Sequence, residues 1–174
     1  PELIIWIAHL FGLPAGGCLL RALPRCAAVN GQRIPVSVII PARNEEQNLP
    51  ALLESLTSQT PPPEEIVVVD DGSTDRTAEL ARAVGARVIA SATLPAAWRG
   101  KAWACHQGAD VATKDTLIFM DADTRFEPGG LRAVCNAFVQ TGGALSLAAF
   151  QTLEKPSEQL SAFFVAVMTA ASEL

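Results

Sequence analysis

A three-layer α/β/α domain on a mostly parallel sheet is predicted by three features of this sequence. Short β-branched runs alternate with stretches of helical periodicity, the pattern of strands joined by right-handed helical crossovers. Polar, acid-rich clusters follow the apolar runs directly, as they do at the carboxyl ends of strands in open α/β sheets. At 174 residues and 49% hydrophobic content, the chain can bury one sizeable core. The domain is placed at residues 35–174, behind an apolar segment at 1–22 and a Pro-, Asn- and Gly-containing linker at 23–34.

Each element has its own signal. Val36 to Ile40 is a β-branched run, so it is read as the first strand, with Pro41 to Glu46 as the loop that leaves it. Leu49, Leu52, Leu53 and Leu56 recur at helical spacing, with Asn48 as candidate N-cap and Pro50 in the first turn. Glu65 to Val69 is a second strand, ending in Asp70-Asp71-Gly72-Ser73-Thr74-Asp75. Ser73, Thr74 or Asp75 can cap the helix that follows, which runs to about Val84 and is closed by Gly85. Arg87 to Ala90 is a third strand, Gly100-Lys101 opens a helix to about Ala112, and Leu117 to Met120 is a fully buried fourth strand. Glu127-Pro128 begins a helix that Gly142-Gly143 breaks; a further strand is expected over Ala144 to Ala149 and a helix over Ser157 to Ser172.

Charge and hydropathy narrow the function classes. Leu3 to Leu20 carries no charged residue, and as a helix it would be roughly 27 Å long, close to the thickness of a bilayer core. It is read as spanning or lying on a membrane, with a cleaved signal peptide or a buried amphipathic helix as the other readings. Three arginines against Glu2 give the first forty residues +2, so the rest carries −7 of the total −5. Positive charge after the apolar segment predicts that the domain sits on the cytoplasmic face of the cytoplasmic membrane. An acidic remainder excludes nucleic acid as a partner, since that calls for clustered Lys and Arg. Cys18, Cys26, Cys105 and Cys135 form no Cys-x-x-Cys pair, so neither a zinc site nor a disulfide framework is expected.

The functional signal lies at the strand ends. Pro41 to Glu45, Asp70 to Asp75 and Asp121 to Asp123 should meet in one crevice at the carboxyl edge of a parallel sheet. Asp121 and Asp123 leave their strand on one face with Ala122 on the other. Two hard oxygen donors so placed suit a Mg²⁺ or Mn²⁺ ion that also binds phosphate oxygens.

Val36-Ser-Val-Ile-Ile-Pro-Ala-Arg-Asn-Glu-Glu46, Val67-Val-Val-Asp-Asp-Gly-Ser-Thr-Asp75, Gly100-Lys101 and Asp121-Ala-Asp123, taken together, resemble the family 2 glycosyltransferases of GT-A fold. The match covers roughly residues 35 to 135. Leu94 to Lys101 and the apolar start also look like the membrane-bound branch that glycosylates carotenoid- or hopanoid-type lipids. The resemblance implies a nucleotide-diphospho-sugar donor, UDP-like, and transfer with inversion to an acceptor hydroxyl of a lipid. Pro41, Arg43 and Glu45 would line the nucleotide pocket. Asp70 or Asp71 would accept a hydrogen bond from the uracil ring, with Asp70 preferred and turn formation the other reading of Asp71. Lys101 would meet the diphosphate, Asp121 the ribose or the metal, and Asp123 the divalent cation. Trp98 and Trp103 are read as packing residues, and His106 as a satisfied polar residue. The acid that serves such enzymes as base, often in a Glu-Asp pair, has no counterpart in the sequence and is expected beyond Leu174, so the GT-A domain is read as lacking its C-terminal part and this chain is expected to transfer sugar poorly. A non-catalytic nucleotide-sugar-binding module is the alternative.

Overall fold

The computed structural model describes residues 33–147. Those from Arg33 to Leu145 fall within one compact unit. Four strands form a wholly parallel sheet: β1 (Val36–Ala42), β2 (Glu65–Asp70), β3 (Arg87–Ala90) and β4 (Thr116–Phe119), in the order β3-β2-β1-β4. The helices between and after them are α1 (Leu49–Thr57), α2 (Thr77–Ala83), α3 (Gly100–Val111) and α4 (Gly130–Thr141).

Alternation along the strands makes the three layers. Val38, Ile40 and Val68 point to the face that packs on Leu49, Leu52, Leu53 and Leu56 of α1 and Ala81 of α2. Ile39, Val67 and Val69 point the other way, toward Ala104 of α3. All six strand residues are fully buried, as expected for central parallel strands covered on both faces. α3 approaches the sheet closely through Gly108, where an added Cβ would lie 2.4 Å from Ile39 Cγ2 and 3.0 Å from Val69 Cγ2.

Several elements differ from the sequence reading. β1 runs on through Pro41, which is paired in register with Val69 of β2. A proline is tolerated because its missing N–H faces the β4 side, where pairing ends at Ile39–Phe119 and the Met120 N–H closes on the Ile39 carbonyl. β4 was expected to be fully buried; it is instead an edge of the sheet among the described residues, with Phe119 52% exposed. Asn48 stands at the N-cap of α1 but its side chain does not cap; its Nδ2 donates to Glu45 Oε2. α2 starts at Thr77 with Arg76 in the N-cap position; of the three candidate caps, Asp75 accepts the Thr77 N–H at 3.0 Å through Oδ1, while Ser73 and Thr74 are engaged with Asn44 across the loops. α4 begins at Gly130: Glu127 and Pro128 form a turn closed by the Gly130 N–H on the Glu127 carbonyl, and Gly129 takes φ +79° as the entry residue. Residues 144–147 form no strand. Residues 148–149, the expected helix over Ser157 to Ser172 and the apolar segment 1–22 lie outside the described residues, among which no helix is long and apolar enough to cross a membrane.

The amino edge of the sheet is tied by Glu65. Its Oε2 accepts from the buried Ser37 hydroxyl and, at 2.7 and 3.0 Å, from the Thr113 N–H and hydroxyl; its Oε1 lies 3.8 Å from Arg87. Glu64 is held in the same way by the Val36 N–H (2.9 Å) and Arg33 (2.7 Å). Partial burial pushes both carboxyls up, but these donors outweigh it and leave both below the ordinary Glu range. Asp75 is likewise depressed: desolvation opposes, and bonds from the Thr77 hydroxyl and the Thr77 and Glu46 N–H groups prevail. A carboxylate with a lowered folded pKa contributes stability that is complete above its unfolded value and is lost as pH falls through the folded one. Unfolding free energy is therefore expected to hold above about pH 5 and to drop once the pH passes below about 4. Glu65→Ala should remove a large part of that acid sensitivity and destabilise the domain by about 2–4 kcal/mol at neutral pH. Guanidinium titrations of both proteins across pH 3–7 measure it.

Candidate functional site

The carboxyl edge of the sheet opens into a cleft of about 250 Å³, lined by Pro41, Ala42, Arg43, Glu45, Asp71, Lys101, Ala104, Asp121, Ala122 and Asp123. Four separate segments supply these side chains. The end of β1 brings Pro41 to Glu45, the end of β2 brings Asp71, the first turns of α3 bring Lys101 and Ala104, and the turn after β4 brings Asp121 to Asp123. The Asp71 N–H bonds the Ala42 carbonyl at 2.9 Å, prolonging the β1–β2 ladder into the cleft. The N-terminus of α3 abuts Asp71, whose Oδ2 would lie 3.6 Å from a Cβ on Gly100.

Of the eight residues named from the sequence, seven line this cleft: Pro41, Arg43, Glu45, Asp71, Lys101, Asp121 and Asp123. Asp70 does not line it; its Oδ1 accepts the Ser73 N–H at 3.0 Å and so shapes the turn after β2. Turn-making therefore falls to Asp70, and Asp71 faces the cleft. Asp121 and Asp123 share a side, as the alternation predicts, although they sit in a turn (Thr124 N–H to Asp121 carbonyl, 3.1 Å) rather than on the strand. Ala122 between them is 5% exposed and belongs to the core on the α1 side. That buried alanine anchors the acidic turn, and Gln59 ties down the entry of α4 that follows, bonding the Glu127 carbonyl and the Leu131 N–H.

The cleft is charge-paired from within. Lys101 Nζ lies 2.6 Å from Asp121 Oδ1, and Arg43 Nη1 lies 3.9 Å from Asp71 Oδ2. The hydrogen bond to Asp121 raises the Lys101 pKa above its ordinary value, against some desolvation, so the ammonium is charged throughout the physiological range. Two cations meet four carboxylates in the lining, a formal −2. Asp121 and Asp123 offer hard oxygen donors, and no group of three or more His, Cys, Asp or Glu able to hold a metal occurs among the described residues. Two carboxylates fit a Mg²⁺ or Mn²⁺ ion, which commonly keeps several waters and completes its shell with substrate phosphates.

Sequence reasoning passed over the three alanines of the lining, small residues that leave room for a ligand; strand alternation set Ala122 on the face away from the two acids, yet it lies at the cleft as well as in the core. It also passed over Asn44, which holds φ +55° between Arg43 and Glu45. Trp98, Trp103 and His106 form a cluster of their own, with Trp98 stacked on His106 at 4.8 Å and 15°. None of the three lines the cleft.

A four-stranded parallel α/β sheet with helices on both faces and an acid- and cation-lined crevice at its carboxyl edge has the GT-A fold. The chain belongs to glycosyl transferase family 2, whose sequence model matches residues 37–156. It is 44% identical over 134 residues to the 4,4'-diaponeurosporenoate glycosyltransferase of Staphylococcus haemolyticus, covering 74% of this chain and 36% of that protein. Against the protein of the same name from Staphylococcus aureus (strain USA300) the identity is 34%, over 80% of this chain and 38% of the other. The chain thus spans little more than a third of the length of these curated relatives. Among solved structures, glucosyl-3-phosphoglycerate synthase from Mycobacterium tuberculosis, in complex with Mn²⁺, UDP and phosphoglyceric acid, superposes with a TM-score of 0.52 at 28% identity, over 63% of this chain and 40% of that one.

Proposed function

We propose that this chain is the donor-binding part of a glycosyltransferase that moves a sugar from a UDP-like nucleotide to an acceptor oxygen of a carotenoid-type lipid, with metal assistance and inversion. The observation that carries the reading is the convergence of Arg43, Asp71, Lys101, Asp121 and Asp123 from four chain segments on one cleft. Asp71 offers carboxylate oxygens to the N–H edge of a base. Arg43 and Lys101 supply charged donors for the diphosphate, Lys101 from the first turn of α3, where the helix itself favours an anion. To do so Lys101 exchanges its 2.6 Å contact with Asp121 for a phosphate oxygen, which frees Asp121 to join Asp123 as a cation ligand. The cation, when bound, supplies Lewis-acid stabilisation of the leaving diphosphate. The formal −2 of the lining supports a divalent partner: a bare diphosphate would meet net repulsion, and one Mg²⁺ or Mn²⁺ cancels it.

The carotenoid-type acceptor is supported by the curated relatives, whose name specifies diaponeurosporenoate. An apolar acceptor suits an enzyme at the cytoplasmic face of a membrane, and the uncharged stretch Leu3 to Leu20 is the proposed contact. Isothermal titration of the chain with UDP tests the donor half. Saturable binding with Mn²⁺ present, abolished by EDTA, is expected; absence of binding with Mn²⁺ would refute it.

A further inference from the structure

We infer that Asn44 is a positioning residue for the nucleotide cleft, acting through a clamp that locks the β1–α1 loop to the β2–α2 loop; this rests on the donor-binding reading above. Three successive N–H groups of the first loop donate to side chains of the second. The Asn44 N–H goes to Ser73 Oγ (3.0 Å), that of Glu45 to Thr77 Oγ1 (2.8 Å) and that of Glu46 to Asp75 Oδ2 (3.1 Å). Two N–H groups of the second loop donate back: Thr74 to Asn44 Oδ1 (2.8 Å) and Arg76 to Glu46 Oε2 (3.2 Å). The reciprocity makes one body of two loops that the sequence separates by about thirty positions.

Asn44 is the element of this clamp with no easy substitute. Its φ of +55° lies in the left-handed region, where Asn is several-fold enriched over most residues other than glycine. Glycine there would meet the backbone requirement but lacks the oxygen that holds Thr74; alanine lacks both. The chain bends at Asn44 between Arg43 and Glu45, both of which line the cleft, while the partner loop starts from Asp71, which lines it too. The spacing between the cation at Arg43 and the acceptor at Asp71 is therefore set by bonds to Asn44, Ser73, Thr74, Asp75 and Thr77, none of which lines the cleft.

Deletion of the side-chain oxygen should be read in binding, with stability unmoved. Asn44→Gly is expected to weaken UDP binding in the presence of Mn²⁺ about five- to tenfold, the scale of one or two lost neutral hydrogen bonds, with an unchanged melting temperature. Amide exchange at Thr74 should accelerate in the same protein. Asn44→Asp, which keeps an acceptor oxygen and tolerates the same φ, should restore both readouts. Wild-type affinity in Asn44→Gly, or failure of Asn44→Asp to restore it, overturns the positioning role. Absence of UDP binding by the unsubstituted chain would instead defeat the donor-binding reading, and Thr74 exchange would still report whether the clamp exists.

Discussion

Asp123→Ala is expected to reduce the affinity of this chain for UDP in the presence of Mn²⁺ by a factor on the order of a hundred, and to remove the difference between titrations with Mn²⁺ and with EDTA. The proposed cation would keep Asp121 as the remaining acid of the pair, and changes beyond the ligands themselves commonly cost about 10- to 100-fold in metal affinity. Asp121 is also the partner of Lys101 at 2.6 Å, whereas no salt bridge engages Asp123 among the described residues. Asp123 is therefore the carboxylate available to a cation without rearrangement. The same substitution should leave the melting temperature in place, because the side chain is exposed and the buried Ala122 holds the turn. Retention of Mn²⁺-dependent binding by Asp123→Ala would move the cation to another part of the cleft.

The second large effect is on folding. Gly108→Ala should destabilise the domain by about 3 kcal/mol, the upper part of the range for overpacking a tight core. A Cβ at this position would stand 2.4 Å from Ile39 Cγ2 and 3.0 Å from Val69 Cγ2. Both neighbours are fully buried β-branched side chains on the two central strands, so neither can swing away cheaply. The gain in helix propensity from Gly to Ala is about 1 kcal/mol and opposes the clash without cancelling it. Denaturant melts compared with Ala104→Gly, on the same face of α3, would separate the two terms. A neutral or stabilising Gly108→Ala would mean that α3 stands further from the sheet than described.

Much of this architecture was legible in one dimension. The runs at Val36 to Ile40, Glu65 to Val69 and Arg87 to Ala90 became parallel strands, and the leucines at 49, 52, 53 and 56 became the buried face of α1. The strand-end clusters pointed to one edge because a parallel sheet puts every carboxyl end on the same side. What failed depended on neighbours. β4 looked like a covered strand because Leu117 to Met120 is apolar, yet Phe119 is exposed and pairing occurs only with β1 among the described residues. An apolar run reports hydrophobicity and is silent on what stands beside it.

Residue types and their spacing by themselves determined the parallel α/β plan and the assembly of acids and cations at its carboxyl edge, since strand alternation and crossover handedness are local properties of the chain. Tertiary structure alone decided which of two adjacent acids, Asp70 or Asp71, faces the cleft, why Gly108 is glycine and what Asn44 holds. Asn44 and Gly108 depend on atoms brought together from about thirty or more positions away; Asp70 is held in the turn by the Ser73 N–H three positions on, while Asp71 meets Arg43 and the start of α3, both distant in the chain.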